Sequence, residues 1–411
     1  MKAPGRDGDF GLFRSLRLYN FRLFFAGGLI SNTGSWMQAA AMSWVILTEL
    51  SDNDATLVGF AFTLQYLPPL LLAPLSGWLT DRFERRSALI VLQTILLAHA
   101  LTIGALLLAG GMTVAWMLVL VGVQGVLAAF EVPLRQTLVT DLVPRTHESN
   151  AIALNSASFN IARLLGPAAA GVLIVAVGSG WVFILNGLSF VAALGALLLM
   201  RSSQIRALPA RDAAPRLWGG MAYIIRRRDL LVLTLCIFLV SAYTVNVTLA
   251  TLTMAVVFGT DAAGFGFVNT VLAVGSLGGA LTAAQRPRAS YPAIAVALLA
   301  VGVLTGLSAL APTYLVYLLV MAPLGYAVVF VLATSNAYVQ STTDRGLRGR
   351  VLAAYMAMLM GGAALGSLGI GYLTDAFGAR WAVAVGAFLA LATFVALLTT
   401  HRRAAGADDP R

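Results

Sequence analysis

The strongest constraint on this chain is a series of apolar runs, each about as long as a bilayer is thick, separated by short polar stretches. A transmembrane helix needs about 20 largely apolar residues. Reading at that length gives about twelve segments, near 21–48, 57–80, 87–109, 113–133, 151–177, 181–200, 230–258, 264–284, 291–310, 313–339, 351–373 and 381–400. Only 11% of the 411 residues are charged while 59% are apolar, so a water-soluble fold would lack its ionic surface. The lipid bilayer is the expected solvent. The polar stretch before the first run carries Lys2, Arg6, Arg14 and Arg17, and no small-residue cleavage site follows that run, so it reads as an uncleaved span.

The net charge of +10 is of the size found in nucleic-acid binders. Here the basic residues lie between apolar runs and form no stripe, which excludes nucleic acid as a partner. With the N-terminus inside, all 27 basic residues except Arg163 and Arg380 fall on the cytoplasmic side, as the retention of Arg and Lys in cytoplasmic loops requires. Glu49, Asp52, Asp54, Asp261 and Asp375 fall outside. The expectation is a multi-pass protein of the plasma (inner) membrane with both termini cytoplasmic. A single cysteine, Cys236, and three histidines leave no disulfide and no metal centre. No cofactor is expected.

The longest polar segment, 201–229, divides the runs into six and six. At an offset of 200, Leu165, Gly166, Gly171, Leu173, Ala176, Gly178 and Trp181 match Leu365, Gly366, Gly371, Leu373, Ala376, Gly378 and Trp381. An offset of six spans preserves orientation, so the halves are related by an axis along the membrane normal. The resulting fold class is an all-α membrane protein, with twelve transmembrane helices in two pseudo-symmetric six-helix bundles around a central cavity. The bundles span 1–200 and 230–411, joined by a cytoplasmic linker at 201–229.

Between spans 2 and 3 lies Gly77-Trp78-Leu79-Thr80-Asp81-Arg82-Phe83-Glu84-Arg85-Arg86. Gly77 permits close helix approach, and Asp81 can accept from backbone amides or pair with a guanidinium. The run reads either as a latch between helices or as a positive-inside anchor. Its pattern resembles the loop 2–3 signature of the major facilitator superfamily, with Phe83-Glu84 where that pattern has a residue followed by Gly. The resemblance implies a cytoplasmic gate in which Asp81 and Arg82 tie span 2 to spans 4 and 11. In the second half Ala283 stands at the place of Asp81.

Three further elements carry chemistry. Glu131 closes span 4, with Arg135 one turn on across Pro133. It is either a headgroup-level partner of Arg82 or Arg135 or a proton carrier, since intramembrane acids are costly. Span 5 holds Arg163 and the kink Gly166-Pro167, followed by Gly171. This resembles the span 5 element of the superfamily's antiporters, with Ala170 in place of the first closing Gly, and implies export. The series Glu131-x-Pro133-x-Arg135-Gln136, Asp141-Leu142-Val143-Pro144 and Leu347-Arg348-Gly349-Arg350-Val351 is similar to the enterobactin-exporter and macrolide-efflux branch. Val121 stands where drug–proton antiporters often carry an arginine, so Glu131, Arg135 and Arg163 are the coupling candidates.

Neutral polar residues within spans should face the cavity: Asn32, Gln38, Gln65, Gln124, Asn155, Asn160, Asn186, Tyr243, Asn246, Asn269 and Asn336, with Trp36 and Tyr66 as aromatic surface. Such a lining suits an amphipathic substrate. The expected function is a monomeric exporter of a small amphipathic molecule (drug, siderophore or secondary metabolite), working by alternating access with proton antiport. A nutrient facilitator or symporter is the alternative, and a membrane receptor the third reading. An enzyme would need a converging nucleophile, base or metal set, which the sequence does not offer.

Overall fold

A computed structural model of the chain describes residues 11, 13–205, 217–244, 247–286, 289–344 and 347–407. The side chains at 80, 81, 217, 218, 244, 247, 248 and 400–407 lie outside the description. The gate carboxylate expected at Asp81 and the cavity residue expected at Asn246 therefore fall outside the described residues.

The described residues are helical, without strands. The first half comprises α1 (Tyr19–Trp44), α2 (Ala55–Leu71), α3 (Ala73–Arg82), α4 (Arg85–Leu108), α5 (Val114–Asp141), α6 (Glu148–Val177) and α7 (Ser179–Leu199). A short α8 (Leu217–Arg226) leads into α9 (Arg228–Thr244), α10 (Val247–Val257), α11 (Ala262–Gln285), α12 (Tyr291–Ala309), α13 (Tyr314–Thr342), α14 (Arg348–Phe377) and α15 (Ala379–Ala407). Among the described residues nine helices are long and apolar enough to cross a membrane, and a tenth span results if α2 and α3 are joined across their 55° bend. Pro68, Pro69 and Pro74 cause that bend by removing backbone donors. Helix α1 is long enough, but Asn32, Thr33, Ser35 and Gln38 make it too polar to count. Helices α9 and α10 are each too short.

Several helix starts resemble one another. Asp54 and Asp261 cap α2 and α11, accepting from Leu57 N and Gly264 N at 3.0 and 2.9 Å. Thr113 and Thr313 cap α5 and α13 through their hydroxyls. Gly178 and Gly378, at φ +93° and +91°, precede α7 and α15; that backbone region is nearly restricted to glycine. Just beyond them, Trp181 and Trp381 are 46% and 68% exposed, as tryptophans at a membrane interface are.

Two seams join the halves. Along α2 and α14, a Cβ on Gly59 would lie 2.3 Å from Ser367 O and one on Gly371 2.5 Å from Ala55 O. Along α6 and α11, the equivalent approaches are Gly171 to Ala262 O at 2.3 Å and Gly266 to Pro167 O at 2.4 Å. Only glycine admits such helix contact, as in the small-residue interfaces of membrane helices. Thr63 Oγ1 adds a hydrogen bond to Ala364 O at 2.7 Å, and Thr270 Oγ1 one to Leu164 O at 3.3 Å. Asp375 accepts from Ala55 N, Thr56 N and Thr56 Oγ1 at 2.9, 2.7 and 2.5 Å, fastening α14 to the first turn of α2.

Candidate functional site

Helix α5 continues through Pro133, so Glu131 and Arg135 share a face one turn apart. Arg135 Nε donates to Glu131 Oε1 at 2.6 Å, and each side chain is 14% exposed. A second guanidinium nitrogen donates to Asn32 Oδ1 on α1 at 2.8 Å. Gln93 Nε2 on α4 donates to Glu131 Oε1 at 3.2 Å, and Asn32 Nδ2 reaches Ser158 Oγ on α6 at 3.5 Å. One ion pair thus links four helices. It borders a small crevice, with room for about 20 Å³, lined in part by Phe24, Gly28 and Leu89. Mutual neutralisation offsets the desolvation cost of both charges.

At the basic end of the molecule the expected gate residues divide. Arg85 pairs with Asp141 at 2.5 Å, and the Asp141 side chain is only 3% exposed. Arg86 donates to Leu197 O, Leu198 O and Ser202 Oγ, closing the carboxyl end of α7 as a C-terminal cation does. Arg82 lies over the Trp78 ring at 5.6 Å. A Cβ on Gly77 would meet nothing within 4 Å among the described residues, so none of these makes the close approach expected there. Sequence reasoning passed over Asp141 as the partner of Arg85, although it stands at the head of the quoted Asp141-Leu142-Val143-Pro144 run.

The neutral polar candidates separate into networks and isolated positions. Gln38 donates to Gln124 Oε1 at 3.1 Å and accepts from Asn186 Nδ2 at 2.6 Å, so these three satisfy one another between α1, α5 and α7. Gln65 lies where α2 meets Gly125 of α5. Asn160 and Asn269 return their amides to the carbonyls of Ser156 and Phe265 on their own helices. Asn336 accepts from Gln340 on its own helix. Asn155 is half-buried on α6. Tyr243 is buried against Gly386 and is a packing residue. Tyr66 stacks on Phe62, with ring centroids 6.0 Å apart.

The two basic residues that the topology left unexplained have different surroundings. Arg380 donates to Ala309 O at 2.9 Å and lies over Phe258, so it closes the end of α12 much as Arg86 closes α7. Arg163 lies over the Trp36 ring at 5.6 Å, one turn before the Gly166-Pro167 kink. A Cβ on Gly166 would lie 2.5 Å from Trp36 Cβ, so α6 is pressed directly onto α1 beside Pro167.

Apolar helices of bilayer length, paired glycine seams and a part-buried ion pair are the features of a polytopic membrane protein. Residues 11–410 match the profile of the transmembrane secretion effectors, and the chain belongs to that family, within the major facilitator superfamily. It is 26% identical over 154 residues to the staphyloferrin A transporter of Staphylococcus aureus, covering 37% of this chain and 38% of that one. The chain thus spans well under half the length of that curated relative. Among solved structures, a bacterial homologue of the human lysosomal transporter Spinster, inward-facing and unoccupied, superposes with a TM-score of 0.69 at 16% identity over 93% of this chain and 95% of that one. A point mutant of the nucleoside transporter NupG gives 0.66 at 12% identity over 95% and 99%. At these identities the likeness is one of fold.

Proposed function

We propose that the chain is a secondary active exporter of the plasma (inner) membrane, with twelve spans in two six-helix bundles (1–200 and 230–411) joined by a cytoplasmic linker (201–229). It works as a monomer with both termini in the cytoplasm. It expels a small amphipathic molecule (drug, siderophore or secondary metabolite) by alternating access, in exchange for protons.

One observation carries the alternating-access reading. At the end of the molecule near Asp375, hydrogen bonds and glycine contacts run between the halves. At the basic end, Arg85, Arg86 and Arg227 bond within their own half. A transporter closed at one end and released at the other has this distribution, and the basic end is the cytoplasmic one by the positive-inside rule. Export is supported by the family's secretory description and by the Gly166-Pro167 kink, and coupling by the Glu131–Arg135 pair. Uptake by a facilitator or symporter is the second reading.

Expression in a host lacking its own pumps, challenged with a panel of antibiotics and siderophores, tests direction. Reduced accumulation of at least one compound is expected, whereas increased accumulation would establish uptake. Substrate-driven proton movement in everted vesicles should be lost in Glu131→Gln. Its persistence would leave Glu131 as an ion-pair partner only.

A further inference from the structure

Arg163 is a charge inside a span that neither seam nor ion pair uses. Among the described residues the ion pairs are Arg85–Asp141, Glu131–Arg135 and Arg227–Asp229, and no carboxylate answers Arg163. Its neighbours are aromatic. Phe159, one turn earlier on α6, meets the Trp36 ring edge-on at 5.5 Å and 71°, while the guanidinium lies over the same ring at 5.6 Å.

We propose that Arg163, with the Trp36 and Phe159 rings, forms the recognition site for a carboxylate carried on an aromatic or amphipathic substrate. This deepens the transport reading and rests on it for the substrate path. Four features support it. A guanidinium offers a fork of donors that matches a carboxylate bidentately. An uncompensated cation in a span is costly, and a ligand carboxylate removes that cost. The close contact of Gly166 with Trp36 and Met37 N, where a Cβ would lie 2.5 and 3.0 Å away, holds ring and cation in register before any ligand arrives. Finally, the next residue, Leu164, accepts the hydrogen bond from Thr270 across the seam, which places Arg163 beside the α6–α11 contact. Phe159 is 48% exposed and presents the apolar surface on which an aromatic body can rest.

The test uses the full chain in lipid nanodiscs and two probes of nearly equal shape, salicylate and its neutral analogue salicylamide, measured by equilibrium binding. Salicylate is expected to bind about tenfold or more tightly than salicylamide. Arg163→Gln should weaken salicylate by about tenfold or more with salicylamide unchanged, Arg163→Lys should retain part of the preference, and Trp36→Leu should weaken both, as loss of one desolvated charge contact implies. Equal binding of the two probes, undetectable salicylate binding to the wild type, or unchanged salicylate binding in Arg163→Gln would overturn the proposal. If Arg163→Gln does not fold, the wild-type preference and Arg163→Lys decide. Binding is measured without a gradient, so retained salicylate preference with no efflux counts against the exporter reading alone. Efflux without that preference counts against this site alone.

Discussion

Removing the Asp375 carboxylate should open the α2–α14 seam. Asp375 accepts three hydrogen bonds from the first turn of α2, where the helix dipole also favours an anion. Hydrogen bonds to charged groups contribute about 1.5–3 kcal/mol when desolvated. Asp375 is exposed, so its contribution is discounted for solvent screening. Asp375→Asn, which keeps one acceptor and loses the charge, should cost the closed form about 1 kcal/mol, and Asp375→Ala about 2 kcal/mol. Those figures shift the closed-to-open equilibrium by about fivefold and about thirtyfold, at 1.4 kcal/mol per decade. Ser367 reports on the seam, because it is fully buried against Thr63 in the closed form. The native thiol, Cys236, is buried with Sγ 3.7 Å from Thr393 O, and gives a low background. Maleimide labelling of Ser367→Cys in nanodiscs should accelerate in the order wild type, Asp375→Asn, Asp375→Ala. Equal rates in all three would show that the carboxylate does not hold the seam, and slower labelling in Asp375→Ala would reverse the argument.

Other expectations follow from single contacts. Arg85→Ala leaves the buried Asp141 carboxylate unpaired and should destabilise the protein by about 3 kcal/mol, read as a lower unfolding temperature in detergent; Arg85→Met with Asp141→Leu should lose less than either single change. Gly171→Val places a Cβ 2.3 Å from Ala262 O and should cost about 1–3 kcal/mol through overpacking, with labelling at the α6–α11 seam increased. At Asp229, burial alone would raise the carboxyl pKa, but the two-pronged hydrogen bond from Arg227 holds it below its ordinary value. Its contribution is therefore present above pH of about 4 and fades as the pH falls through the lowered value. Asp229→Asn should be less stable than wild type at neutral pH by no more than about 1 kcal/mol, because Arg227 is well exposed, and the difference should vanish in acid.

The helices were legible because the bilayer imposes a length and an apolarity that few other environments demand. The bend between α2 and α3 was not, since Pro68, Pro69 and Pro74 announce a break without its angle. The Glu131–Arg135 pair could be read from its four-residue spacing. Its partners Asn32 and Gln93 could not, because they come from other helices and only packing brings them there. Arg86 illustrates the same limit. Its place in a charged loop motif suggested a gate, yet its three hydrogen bonds close α7, a carboxyl end more than 100 residues away. Arg380 stood out as a breach of charge sorting and turned out to answer a local need, the free carbonyl at the end of α12. The repeat at offset 200 fared differently, because glycine matches such as Gly171 and Gly371 mark places where backbone must touch backbone. The sequence preserves that requirement directly.

Those glycine contacts also have a mechanical meaning. They bring Cα atoms against carbonyl oxygens, so either joint can part and re-form without any side chain changing rotamer. Two such joints, α2 on α14 and α6 on α11, are built this way. A contact made of backbone at its closest points leaves no interlocked side chains there to be withdrawn when it parts.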